Sequence, residues 1–201
     1  MQKNNMSQEF EIKKAEEFAI FKKIPFYSCS KDEYNLPKLA YRYIASRYVI
    51  YDLSMIYKGL YFIFYDSSTV SFRSWGSTYC GLFMEIKDIY DNVTIKDKVW
   101  YDQFSFRNRV LTGDHLLDHL ITINTNLDLY NHPFLSEKKL YQLTQLIEHL
   151  KPFQMDVEVN AWNIVPELEY KTIISLTVNR WLTNFNDIHF LITEGSKYFF
   201  E

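Results

Sequence analysis

The sequence predicts an α+β fold: a single compact domain over residues 1–201, with several amphipathic helices packed on a mainly antiparallel sheet. Three observations lead there. Helically spaced leucines at 136–150 and period-2 alternation at 155–161 occur in the same chain. Apolar residues make up 47% and charged residues 23% of the sequence, an ordinary globular balance. No internal repeat, low-complexity segment or linker divides the 201 residues, and that length suits one domain. Residues 1–35 are expected to form an N-terminal helix and loop, and residues 36–201 the main body.

Taken in order, residues 7–23 read as an amphipathic helix with Ser7 as N-cap. Phe10, Phe18 and Phe21 lie near one face, with Lys and Glu opposite. Ile24-Pro25 ends it, and 25–35 reads as a loop. Pro37 suits a first helical turn, Leu39, Tyr43, Ile50, Leu53 and Tyr57 recur at roughly helical spacing, and Gly59 suits a left-handed C-cap. A long helix is expected there. Residues 60–65 and 70–75 read as a hairpin with its turn at 66–69, and 82–87 as a further strand. Residues 99–110 lean helical, and 114–123 read as a helix with Leu116, Leu117, Leu120 and Ile121 inward. Residues 124–133 read as a loop. Ser136 begins the clearest helix, with Leu140, Leu143, Ile147 and Leu150 as its stripe and Pro152 as its stop. Met155, Val157, Val159 and Ala161 alternate with Asp156, Glu158 and Asn160, as in a half-buried strand. Residues 170–178 and 188–193 read as strands, and a turn at Glu194-Gly195 leads into another at 197–200.

Composition excludes more than it assigns. A net charge of −3 and a pI near 6.0 leave no basic footprint for nucleic acid. The 16 Tyr and 16 Phe accompany abundant Lys, Ile and Asn, so we read the aromatic surplus as an A+T-rich coding signature rather than a binding platform. Cys29 and Cys80 form neither a CxxC nor a zinc knuckle, and both are expected as reduced thiols. Residues 1–10 lack the apolar core of a secretory signal. Arg42, Arg47, Asp52 and Lys58 interrupt the most apolar stretch, so no membrane span is expected. The expected location is the cytoplasm. The 5 glycines build no Walker A loop and no G-x-G-x-x-G. There is no G-x-S-x-G elbow.

Three constellations carry candidate chemistry. Asp66 and Glu85-Ile86-Lys87 have the residue types of a metal-dependent nuclease, in which an Asp and the Glu of an E-x-K hold a divalent ion and the Lys serves the attacking water. Phe72-Arg73-Ser74-Trp75-Gly76-Ser77 followed by Met84-Glu85-Ile86-Lys87 resembles the Arg-Ser-x-Gly-Ser and E-x-K strands of archaeal Holliday-junction resolvases, within the PD-(D/E)xK nucleases. The resemblance covers about twenty residues and implies Mg²⁺ with Asp66, Glu85 and Lys87 as catalytic residues. In that family the acid stands between the Gly-Ser and the E-x-K; here Asp66 precedes both. Second, Asp114-His115-Leu116-Leu117-Asp118-His119 places His115 and His119 four apart on a helix, a spacing suited to zinc. It is similar to the H-x-x-E-H of inverzincin peptidases with Asp in place of Glu, and His132 and His149 are the further imidazoles available. Third, Arg42 and Arg47 sit among the aromatics of 41–57, a pattern that stacks on single strands. A core element with tyrosine hydroxyls at its rim accounts for it better.

None of these names a reaction, so the leading expectation is a non-enzymatic protein-binding protein. It is analogous to the bacterial immunity or antitoxin-like proteins that mask a partner, for example a toxin. Asp156, Glu158, Glu167 and Glu169 form its expected contact patch for a basic partner. No cofactor is expected. The alternatives are the metal-dependent nuclease and a structural component of a phage or secretion assembly, and oligomeric state is left open.

Overall fold

The computed structural model describes residues 3–35, 42–70, 76–87, 91–99, 109–125, 134–161 and 164–200. These form four helices and one nine-stranded sheet, all of whose pairings are antiparallel. In chain order they are α1 (Lys3–Lys22), β1 (Phe26–Asn35), β2 (Arg42–Asp52), β3 (Leu60–Val70), β4 (Gly76–Glu85), β5 (Val93–Asp97), β6 (Arg109–Val110), α2 (His115–Leu120), β7 (Ile121–Thr125), α3 (Glu137–Leu150), β8 (Phe153–Glu158), β9 (Ile173–Val178) and α4 (Phe185–Phe200). The spatial order is β1-β2-β3-β4-β9-β8-β5-β7-β6. The last strand in sequence therefore sits at the centre and joins a meander, β1 to β4, to the remaining strands.

One face of the sheet carries all four helices: α1 over β2, α4 over β4, α3 beside α4 and over β8, and α2 against β7 and α3. The main core fills this side. Val49 and Tyr51, Phe62 and Phe64, Cys80 and Leu82, Leu176 and Val178, and Met155 and Val157 point into it at strand period. Much of the aromatic surplus is spent here, with Phe18, Tyr51, Phe62, Phe64, Phe153 and Tyr198 fully buried. Tyr51 donates its hydroxyl to the Ala15 carbonyl oxygen at 2.5 Å, which ties α1 to the sheet. The opposite face is covered over β2, β3 and β4 by Ala161, Ile164, Val165 and Leu168 of the 159–172 connection, packed on Tyr48, Ile50, Ile63, Tyr65 and Phe83.

Two elements of the first half that were expected as helix or loop are strands. The run 37–57 contains β2, because Tyr48-Val49-Ile50-Tyr51 is buried on both faces. Tyr48 and Ile50 face the loop side, and Val49 and Tyr51 face the helices. A strand covered on both sides shows a continuous apolar run and no alternation, and its β-branched and aromatic residues favour the extended backbone. Gly59 does adopt the left-handed conformation (φ 75°), in the turn before β3. The segment read as a loop at 25–35 is β1, paired with β2 along its whole length. Asp66 lies within β3, paired with Thr78, so the expected turn at 66–69 is continuous strand. Residues 71–75 lie outside the described residues.

The reverse error occurs at the C-terminus. The expected strands at 188–193 and 197–200 are one helix, α4, whose Ile188, Leu191, Gly195, Tyr198 and Phe199 form the buried stripe. Short apolar runs do not distinguish the two periods, and the Glu194-Gly195 pair suggested a turn. Gly195 is instead a contact point, since a Cβ there would stand 2.5 Å from Leu82 Cδ1. Helix α3 follows its expected stripe, and Ser136 holds the N-cap position without a side-chain cap bond. Helix α1 starts before Ser7. It packs through Ala15, Phe18 and Ala19 and leaves Phe21 69% exposed, so only part of the expected phenylalanine face is used. Residues 121–125 leave α2 as strand β7, and Arg109-Val110 is strand where a helix was expected.

Cys29 faces the loop side and Cys80 the helix side of the sheet, and both are free thiols. Burial pushes the Cys80 thiol up to about 12. No helix among the described residues is long and apolar enough to cross a membrane.

Candidate binding cleft

The strip Phe153–Glu158 folds as the alternation requires. Phe153, Met155 and Val157 enter the helix-side core, and Gln154, Asp156 and Glu158 project from the other face. β9 pairs with β8 and β4 in a register that sets Phe83 opposite Ser175, Ser175 opposite Asp156, and Asp156 opposite Thr94 of β5. A parallel row runs Gly81, Thr177, Gln154, Lys96. Between the aromatic, loop-covered part of this face and its polar part lies a cleft of about 210 Å³. Tyr79 and Phe83 line it from β4, and Ile173, Ser175 and Thr177 from β9. Gln154, Asp156 and Glu158 contribute from β8, with Ile164 and Asn179 at its margin.

Gly81 sets how closely β4 approaches β9 beside the cleft. Its place in β4 puts it between Tyr79 and Phe83, and a Cβ there would stand 2.1 Å from the Leu176 carbonyl oxygen. Only glycine lets the two backbones approach this closely. Asp156 is held from both sides. Thr94 Oγ1 donates to Oδ1 at 2.8 Å and Gln154 Nε2 donates to Oδ2 at 2.7 Å. Burial pushes its carboxyl up to about 6, with Glu158 adding to the rise and the two hydrogen bonds opposing it. The Tyr79 hydroxyl is raised well above the ordinary phenol range, first by burial, then by Tyr65 and Glu158.

Of the four acids expected as a contact patch, Asp156 and Glu158 line the cleft. Glu167 and Glu169 lie on the connection that covers the same face, outside the cleft lining. Glu167 accepts a hydrogen bond from the Tyr27 hydroxyl, and burial followed by this bond raises the Tyr27 hydroxyl far above its ordinary range.

The nuclease constellation is not assembled. Asp66 shares the helix-side orientation of Phe64, whereas Glu85 shares the loop-side orientation of Phe83. Thr78, opposite Asp66, is seven residues from Glu85, about 23 Å along a strand. One Mg²⁺, bonded at about 2.1 Å, does not reach both. Each acid has its own partners: Arg47 Nε at 2.8 Å and Thr78 Oγ1 at 2.6 Å for Asp66, and Lys171 Nζ at 3.0 Å for Glu85. Lys87 lies exposed beyond β4.

His115 and His119 are both exposed on the six-residue α2. The acids beside them organise the turn before that helix. Asp114 caps Leu116 N at 2.7 Å, and Asp118 accepts from Thr112 N at 2.8 Å and Gly113 N at 3.2 Å. His149 lies 3.6 Å from Asp187 and its ring sits tilted against that of Phe190, away from that pair in sequence and environment. His132 lies outside the described residues. Among the described residues no three His, Cys, Asp or Glu side chains are grouped as a metal would need. In the third constellation Arg47 is absorbed by Asp66 and by the Trp181 ring, 5.2 Å from its centroid.

Sequence reasoning missed Tyr79, Phe83, Ser175, Thr177 and Thr94. One signal was present: Ser175 and Thr177 alternate with Ile174, Leu176 and Val178 in an otherwise apolar strand. A scan against protein-family models finds no match, and neither does a search of curated proteins or of solved structures.

Proposed function

We propose that this chain is a non-enzymatic protein-binding protein. It masks a basic surface of its partner in the manner of immunity or antitoxin-like proteins, and it docks through the loop side of its sheet. One observation carries the reading. Asp156, Glu158, Glu167 and Glu169 belong to one side of the sheet, while the helices seal the other. Acidic groups gathered on one side steer a basic partner and fix its orientation more than they add raw affinity. The acids of the other constellations are engaged elsewhere: Asp66 by Arg47, Glu85 by Lys171 and Asp118 by the 112–113 turn.

The test is capture from lysate of the source cells at low and high salt. The wild-type chain is expected to retain a stoichiometric basic protein, and the triple charge reversal Glu158→Lys, Glu167→Lys, Glu169→Lys to lose it. Salt is expected to weaken capture, since exposed charges are screened beyond about 10 Å at 0.1 M. A wild-type chain that retains no stoichiometric protein under any of these conditions sinks the reading.

A further inference from the structure

We propose that the cleft between β4, β9 and β8 is the seat for one basic side chain, lysyl or arginyl, presented by the protein partner. The inference rests on the protein-binding reading for what carries the cation, and on the cleft alone for what is bound.

Size comes first. At about 210 Å³ the cleft far exceeds the ~10–15 Å³ that one water needs. It is large enough for a long side chain. Charge comes second. The ten lining residues include two carboxyls and no Lys, Arg or His. An anion would meet Asp156 and Glu158 directly, and a neutral guest would leave the half-buried Asp156 with only the neutral Thr94 and Gln154 as hydrogen-bond partners, the costly arrangement for a charge out of water. The basic position in the adjoining row is Lys96, opposite Gln154 on β5.

Shape and chemistry of the walls agree. Tyr79 and Phe83 give the lining an aromatic wall, of the kind that attracts a nearby cation, and Tyr79 is backed by the stacked ring of Tyr65. Ile164 and Ile173 offer apolar contact to the methylenes of a lysine or arginine stem. Asp156 is pre-positioned, because Thr94 and Gln154 each occupy one of its oxygens by a single bond. A carboxylate oxygen has a second lone pair, so both remain able to accept from an ammonium or a guanidinium. A group already held in place loses little freedom on binding. The burial that raises the Asp156 carboxyl to about 6 is relieved when a cation enters, so occupancy favours its ionised form. Around it stand Glu158 on its own strand, Tyr79 on β4 and Lys96 on β5.

The test uses the full chain, amide-resolved NMR and three probes: a short glycine-rich peptide with one central arginine, the same peptide with citrulline, and spermidine. The arginine peptide is expected to shift the amides of Thr94, Asp156 and Ser175, and the citrulline peptide to leave them unmoved. Asp156→Asn and Glu158→Gln are each expected to weaken that binding roughly tenfold, the scale of one lost charged hydrogen bond. The second variant serves if the first disturbs the fold. Equal shifts with citrulline, no shift with arginine, or unchanged affinity in a folded Glu158→Gln each overturn the seat. Spermidine binding as tightly as the peptide overturns the assignment to a protein side chain. Capture in which Asp156→Asn retains the partner as well as wild type, with no peptide shift, overturns the seat and leaves the docking reading standing. Peptide binding with no partner captured overturns the docking reading and leaves a cation site.

Discussion

The two faces of this sheet are made by the same strands and have opposite characters. On the helix side every strand from β2 to β9 contributes apolar side chains to one continuous core. On the loop side the surface divides. Over β2, β3 and β4 it is aromatic and covered by the 159–172 connection; over β9, β8 and β5 it turns polar, with Ser175, Thr177, Gln154, Asp156 and Thr94. The cleft lies where cover gives way to the polar strip. Stability and recognition are thus assigned to different sides of one layer, and a change on one side should leave the other side's property largely intact.

The largest expected effect tests the helix side. Phe62→Ala empties a fully buried site and is expected to cost about 3–5 kcal/mol, whereas Leu168→Ala within the thinner loop cover should cost about 2 kcal/mol. Denaturant unfolding of both variants checks the order, and equal losses would break the division of labour. A smaller effect tests the polar strip. The native Asp156 carboxyl titrates near 6 against an ordinary 3.8, so the native state holds a proton that the unfolded chain releases between those values. The stabilisation by the neutral form is full below about pH 4 and is lost as pH rises to about 6. Above that, a buried charge is carried at a cost. Asp156→Asn is therefore expected to gain about 2 kcal/mol relative to wild type on going from pH 4 to pH 7. Thermal unfolding across that range measures it, and parallel pH profiles for the two proteins would contradict it. The smallest effect concerns the exposed rim. Glu85→Ala breaks a pair whose side chains are 44% and 43% exposed, and should change stability by less than about 0.5 kcal/mol. A larger loss by the same unfolding measurement would give Glu85 a role beyond its ion pair.

These differences mirror what could be read before folding. Helix α3 and strand β8 were legible because each has one buried face, and a one-sided element writes its period into the sequence. The acidic half of the cleft was legible for the same reason, as the polar side of β8. β2 and α4 were misread. β2 is buried from both sides and shows no period, and the apolar run 188–193 is too short to separate a helix from a strand. Tyr79, Phe83, Ser175 and Thr177 were illegible as site residues, since they meet Asp156 only through the pairing of β9 with both β4 and β8.

The chain by itself determined its class, its one-sided elements and the absence of the familiar phosphate-binding loops. Tertiary structure decided which apolar runs became strands, that Asp66 and Glu85 were sent to opposite faces, and that Asp156 and Glu158 came to stand beside Tyr79 and Phe83. The physical reason is that periodicity records only whether a side chain is covered. What covers it is set by strand order, here by a last strand inserted at the centre of the sheet between segments far apart in sequence.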